Sequence, residues 1–148
     1  MTTKHYTTSF SVDQSPQHVF AAINNVRGWW SDAIDGRTGA LGAEFTFQHK
    51  GLHRSTQEIT EFVSGTRVVW HVTESHIAFV EDKTEWTGTD VVFEIAPKDG
   101  RTELRFTHIG LVPTIECYGD CSGAWGFLIN DSLRSLITTG HGKPLQND

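Results

Sequence analysis

Cysteine is scarce in this chain: two among 148 residues, Cys117 and Cys121. That number cannot supply the disulfide framework that staples small secreted domains. Long apolar runs are missing too, and none approaches the ~20 residues of a membrane-spanning helix. The opening segment, Met1-Thr2-Thr3-Lys4-His5-Tyr6, has no apolar stretch of the kind that begins a signal peptide. Positive charge is in deficit, with 12 Lys and Arg against 18 Asp and Glu and a net charge of −6. No basic patch stands out, so neither nucleic acid nor a membrane is an expected partner. Charged residues make up only 20% and are mixed in sign, which excludes a disordered chain. What remains is a cytoplasmic globular protein, with one domain expected over 1–148. A chain of this length buries roughly two-thirds of its unfolded surface and needs no staple.

Periodicity divides the chain. Tyr6–Val12 alternates with period 2 and predicts a strand. Ser15 is a good N-cap and Pro16 suits the first helical position, so a short helix is expected over Pro16–Asn24. A second short helix is expected over Val26–Ser31. Gly36, Gly39 and Gly42 then mark a loop with no regular element. Strands are expected at Glu44–Gln48, Ser55–Val63, Thr66–Thr73, weakly at His76–Val80, and at Thr87–Ile95 and Thr102–Ile109. Asp99-Gly100 is a strong hairpin signal between the last two. Alternation puts Val91, Phe93 and Ile95 on one face, and Leu104, Phe106 and His108 on one face of the next strand. A long helix over Asp120–Thr139 closes the chain, with an apolar stripe through Trp125, Leu128, Ile129, Leu133, Leu136 and Ile137, and Gly140 as its cap. Antiparallel strands with helices set to one side make an α+β protein. The expectation is a curved antiparallel sheet of six or seven strands wrapped around the terminal helix, with a cavity between them.

Three passages carry a family resemblance. Phe10-Ser11-Val12 followed by Ser15-Pro16-Gln17-His18-Val19-Phe20 is the first. The others are Arg67-Val68-Val69-Trp70, and the hairpin from Asp90 through Pro97 to Thr102–Leu111. Together they resemble the START/Bet v 1-like helix-grip superfamily, in the branch named after the C-terminal domain of the activator of Hsp90 ATPase. The resemblance spans nearly the whole chain and implies the helix-grip fold. Its functional implication is broad, because the superfamily holds lipid and hormone binders, cyclases, hydrolase-like enzymes and co-chaperones. Hsp90 is not carried over as a partner, because nothing here corresponds to the co-chaperone's separate N-terminal domain.

Candidate chemistry is sparse. His49 and His53 are four apart, but Gly51 breaks any helix between them, so they read as turn or surface histidines and not as metal ligands. Cys117 and Cys121 lack a companion ligand pair and read as two unbridged, metal-free thiols near the helix entrance. No metal and no cofactor are expected. No serine sits in a Gly-x-Ser-x-Gly elbow. Gly140-His141-Gly142-Lys143 follows a helix and reads as a cap and tail, not a phosphate loop. His108 shares its face with Leu104 and Phe106, where an imidazole could meet a ligand, act as a base, or simply bond a neighbouring backbone group. Trp29-Trp30 sits in the short second helix, which in the resembled superfamily borders the cavity mouth.

The reading is therefore a protein that binds a small hydrophobic or amphipathic molecule between sheet and terminal helix. The expected lining is Trp70, Phe93, Phe106, His108, Trp125 and Ile129, although parity leaves Val69 and His71 as alternatives to Trp70. Two other readings use the same fold: a cyclase- or dehydratase-like enzyme with His108 as base, and a co-chaperone-type interaction module. Glu94, Glu103 and Asp90 lie on the opposite parity, which favours binding over catalysis.

Overall fold

Ser15 begins the first helix as its side chain predicts, its hydroxyl accepting from the His18 amide at 3.1 Å with Pro16 in the first turn. The computed structural model describes residues 5–145. The single domain expected over 1–148 extends at both ends into residues outside that range. Strand β1 (Tyr6–Val12) and helices α1 (Pro16–Asn24) and α2 (Val26–Trp29) come first. Six strands follow: β2 (Ile34–Gly36), β3 (Glu44–His49), β4 (His53–Val63), β5 (Arg67–Ile77), β6 (Asp90–Lys98) and β7 (Arg101–Ile109). The terminal helix is continuous over 118–139 and has three sections. These are α3 (Tyr118–Phe127), a π-helical section Leu128–Leu133, and α4 (Arg134–Thr139).

The seven strands form one curved antiparallel sheet in the order β1-β7-β6-β5-β4-β3-β2. Strand β1 leaves the meander and closes against β7, where Phe10 faces Leu104 and Tyr6 faces His108. The β6–β7 turn places Asp99 and Gly100 at φ 52° and 77°, the paired left-handed residues that a two-residue hairpin requires. Gly140 caps the terminal helix in the left-handed region at φ 87°.

Alternation does what was expected of it. Val91, Phe93, Leu104, Phe106 and His108 are fully buried on the concave face, and so is Trp70, on the same parity as Val68 and Val72. Against them lies the helix stripe of Trp125, Leu128, Ile129, Leu133 and Ile137, with Leu136 only partly buried at its edge. The π-helical section buries Ser132, whose hydroxyl donates to the Trp29 carbonyl and accepts from the Lys143 amide, both at 2.7 Å. One hydroxyl thus ties the helix to α2 and to the tail.

Three expectations are corrected. The separate strand at His76–Val80 does not exist: β5 continues to Ile77, and residues 78–89 form a loop. That loop also takes the first three residues of the strand expected from Thr87. The glycine-marked loop contains a short strand, β2, in which Gly36 lies at φ 115° against the Glu44 backbone; a side chain there would collide with it. Cys117 and Cys121 are not free thiols but a disulfide. Cys117 is the N-cap of α3, not a residue inside it, and its Cα lies 5.4 Å from that of Cys121, within ordinary disulfide reach. No helix among the described residues is long and apolar enough to cross a membrane.

Candidate functional site

The concave face and the terminal helix meet through aromatic rings. Trp30 stacks on Trp70 at 5.7 Å and on Phe47 at 4.4 Å, and touches Trp125 at 5.0 Å. Trp86 stacks on Trp125 at 5.8 Å, and Trp29 stacks on Trp70 at 6.2 Å. All five tryptophans therefore belong to one buried cluster, each pair adding to stability beyond the area it buries.

Of the six residues expected to line a cavity, Phe93 and Phe106 pack edge-to-face at 5.3 Å within this cluster, Trp70 packs on Phe93 at 4.8 Å, and Ile129 is fully buried beside them. Trp125 borders open space. A cavity of about 160 Å³ lies next to it, between the β3–β4 hairpin and α3. Its walls are Trp30, Phe47, Trp86, Trp125 and Leu128, joined by His49, His53 and Cys121. Leu52 and Phe79 border it too and are about half exposed, and with them stands the exposed Asp120, so the mouth has a largely apolar rim with one carboxylate on it.

Local structure explains why these side chains converge. Phe45, Phe47 and His49 alternate along β3, so His49 follows the buried phenylalanines onto the inner face. A tight turn with Lys50 and Gly51 at positive φ then sets His53 opposite His49. The hairpin brings together the two histidines that no helix could, and they are cavity residues, not surface ones. Trp86 comes from the 78–89 loop. That loop is held by two carboxylates: Glu85 accepts from the Cys117 amide at 2.9 Å and the Glu116 amide at 3.3 Å, while Glu116 accepts from the Glu81 and Asp82 amides. Loops 78–89 and 110–117 are thereby clasped to each other beside the disulfide.

His108 sits at the closed end of a polar relay. The Trp125 indole N–H donates to His108 Nδ1 at 3.0 Å. An indole nitrogen is donor only, so Nδ1 must be the unprotonated nitrogen and Nε2 carries the hydrogen. Nε2 then donates to Thr89 Oγ1 at 2.8 Å, and the Thr89 hydroxyl donates to the Trp86 carbonyl at 2.5 Å. Burial pushes the imidazole down to about 3, with His53 and His5 adding repulsion. His108 is thus held neutral by side chains, with its lone pair committed to Trp125.

His53 differs. Burial pushes it down to about 4, with His49 adding repulsion, and its ring packs against Trp86 at 4.3 Å and Phe47 at 5.3 Å. Yet its Nε2 has no hydrogen-bond partner, and neither does His49 Nδ1 or Trp86 Nε1. Nearly all buried polar atoms in folded proteins are bonded. Three residues lining one small cavity each carry a fully buried, unpartnered atom, as does Trp70 through its Nε1 in the packed centre, and each of the three is a residue that helical or simple strand reasoning left aside. Continuing the period-2 pattern of Phe45 and Phe47 to His49 was the available signal for two of them; Trp86, in a loop, gave none.

The fold is the helix grip. Among solved structures the chain is similar to the Aha1 dimer from Colwellia psychrerythraea, at 21% identity and a TM-score of 0.74, covering 94% of this chain and 99% of that one. It is also similar to the Mll3558 protein from Rhizobium loti, at 18% identity and a TM-score of 0.65, covering 92% and 97%. A third is DynU16, encoded in the dynemicin biosynthetic locus, at 13% identity and 0.66; 92% of this chain matches 48% of that longer one. No family model and no curated protein matches the chain in sequence. Identities this low establish shared architecture and leave the site to be argued from its own residues. Among the described residues no group of three or more His, Cys, Asp or Glu side chains is arranged to hold a metal.

Proposed function

We propose that the protein binds a small, largely apolar molecule in the cavity between the β3–β4 hairpin and the terminal helix. The observation that carries this reading is the aromatic-walled space of about 160 Å³ with an open rim that is apolar except for Asp120. An apolar cavity of ~150 Å³ stays dry and takes up benzene, so this volume suits one ring or a short chain. A sterol or flavonoid would need the ~300–1,000 Å³ of a drug-sized site. The ligand site therefore centres on Trp125 and on the hairpin side of the sheet, with Trp70, Phe93, Phe106, His108 and Ile129 as the packed layer behind it.

Binding is preferred to catalysis because His108 offers no free lone pair, and an imidazole so held makes a poor base. A co-chaperone role rests on architecture alone.

Titration with single-ring aromatics and short alcohols, read by tryptophan fluorescence and melting, tests the proposal. A ligand specific for the folded state at a hundred times its dissociation constant adds about 2.7 kcal/mol of stability. Ala124 lines the mouth from an exposed helix position, so Ala124→Trp should plug the cavity and abolish the response without unfolding the protein. No response from the unmodified protein across the panel would refute the proposal.

A further inference from the structure

Asp120 gives the mouth of the cavity a sign of charge. Resting on the binding reading above, we infer that the cavity selects a small free amine in its ammonium form, with one ring or short chain inside the aromatic walls and the cationic nitrogen at the rim beside Asp120. Trp30, Phe47, Trp86 and Trp125 receive the apolar part, and about 160 Å³ holds one ring and little more. Of the residues on the lining, only Asp120 is an Asp, Glu, Lys or Arg. It is exposed, and its carboxylate forms no ion pair or hydrogen bond with any described residue. A carboxylate in the first turn of α3 suits the helix dipole and by itself implies no ligand. Here it stands on the rim of an apolar cavity, and that combination suits a molecule that is apolar at one end and cationic at the other.

The surrounding loops carry the same sign. Loop 78–89 supplies Phe79 and Trp86 to the cavity, and loop 110–117 is clasped to it. Together they hold Glu81, Asp82, Glu85 and Glu116 against a single cation, Lys83. The Lys83 ammonium is itself committed, donating to the Ala78 and Val80 carbonyls at 3.1 and 2.9 Å. Asp82, Glu85 and Glu116 accept from backbone amides, which fixes those carboxylates in place. The field at the mouth is therefore negative, drawing in cations and repelling anions. No Lys or Arg lines the cavity to meet an anion stripped of its water, and burial keeps the His53 imidazole uncharged near pH 7. A neutral molecule gains the same aromatic contact but nothing from Asp120. An ammonium gains both, and its charge stays at the rim, where it keeps much of its water.

The test titrates benzylammonium, benzyl alcohol and benzoate into the full chain by calorimetry at low salt and pH 8, above the ordinary histidine range. The three share a ring and one carbon and differ in charge. Benzylammonium should bind about fivefold more tightly than benzyl alcohol, the gain an exposed ion pair allows, and benzoate more weakly than either. At 1 M salt, where the Debye length is about 3 Å, the ratio should shrink towards one. It should also fall towards one in Asp120→Asn, and Asp120→Lys should reverse the order of benzylammonium and benzoate. Asp99→Asn makes the same charge change at the β6–β7 turn, the opposite end of β7 from His108, and should leave the ratio in place. If a variant fails to fold, the salt series on the unmodified protein still decides. Equal binding of the amine and the alcohol overturns the inference, as does preference for benzoate, a ratio indifferent to salt, or one that Asp99→Asn lowers as much as Asp120→Asn. Any of these, with the alcohol bound, leaves the binding reading standing, whereas binding by none of the three would remove both.

Discussion

Lowering the pH from 7 towards 4.5 charges every histidine of the unfolded chain, while the folded protein resists charging at two of them. His108 is held down to about 3 and His53 to about 4, both chiefly by burial, against an ordinary histidine value of 6.5. Between those limits the unfolded state binds protons that the native state does not, so stability must fall as pH falls. The loss begins near pH 6.5 and continues until each folded group itself titrates, near 4 for His53 and 3 for His108. Each group contributes a slope of up to about 1.4 kcal/mol per pH unit, so around pH 5 the two together approach twice the slope of one. Integrated from pH 7 to 4.5 this is on the order of 5 kcal/mol, a large part of the ~5–15 kcal/mol that holds a domain of this kind together. Urea unfolding followed by tryptophan fluorescence at half-unit steps of pH measures it directly. His53→Phe keeps a ring against Trp86 and Phe47 but removes one titrating group, so the slope near pH 5 should drop by roughly half. A midpoint that stays flat between pH 6.5 and 5 would refute the reasoning, as would a slope that the substitution leaves unchanged.

Thr89→Val leaves the His108 Nε2–H and the Trp86 carbonyl without their shared hydroxyl, and should cost about 1–3 kcal/mol in denaturant unfolding. Replacing Cys117 and Cys121 by Ser removes a short closed loop, for which chain entropy gives about 2 kcal/mol; the pair should melt several degrees lower, and an unchanged melting point would count against the bridge. Glu85→Ala removes the acceptor of the Cys117 and Glu116 amides, so hydrogen exchange should quicken at those two positions while the β6–β7 hairpin keeps its protection. Gly36→Ala should destabilise by more than the usual ~1 kcal/mol of a surface change, because φ 115° and the Glu44 backbone both oppose a side chain.

The architecture was legible because its signals are local and repeat. Tyr6–Val12, Pro16–Asn24 and the Asp99-Gly100 turn follow from alternation, a cap and a left-handed dipeptide, each read within a few residues. The inward face of β6 and β7 followed in the same way, down to the burial of His108. What escaped was where periodicity stops. The β5 strand runs past the polar Glu74-Ser75-His76 because pairing with β4 through Ser75 and Ile77 holds it extended, which no pattern in that segment announces. The disulfide depended on Cys117 sitting at the cap and not in the helix, a matter of where the terminal helix begins.

The cavity illustrates the same limit in a more consequential way. A helix-grip sheet contributes its inner face by parity, and parity fills the centre with the fully buried rings of Trp70, Phe93 and Phe106. The cavity lies at the periphery of the grip, where a hairpin tip, a loop and the first turns of the terminal helix meet without a common repeat. The clasp of Glu85 and Glu116 carries Trp86 into that gap, and the β3–β4 turn carries in His49 and His53. His49 follows the alternation of Phe45 and Phe47 and His53 the tight turn after it, whereas Trp86 takes no orientation from its sequence neighbours. Trp86 depends on contacts formed across the chain, and all three residues carry a fully buried polar atom without a partner. In the centre, the relay from Trp125 through His108 to Thr89 closes on the Trp86 carbonyl, while Trp70 Nε1 is buried without a partner. A ligand can gain hydrogen bonds only where the fold has not already made them, and along the relay through His108 the fold has made them all, so a molecule in the peripheral cavity is held there chiefly by aromatic and aliphatic surface.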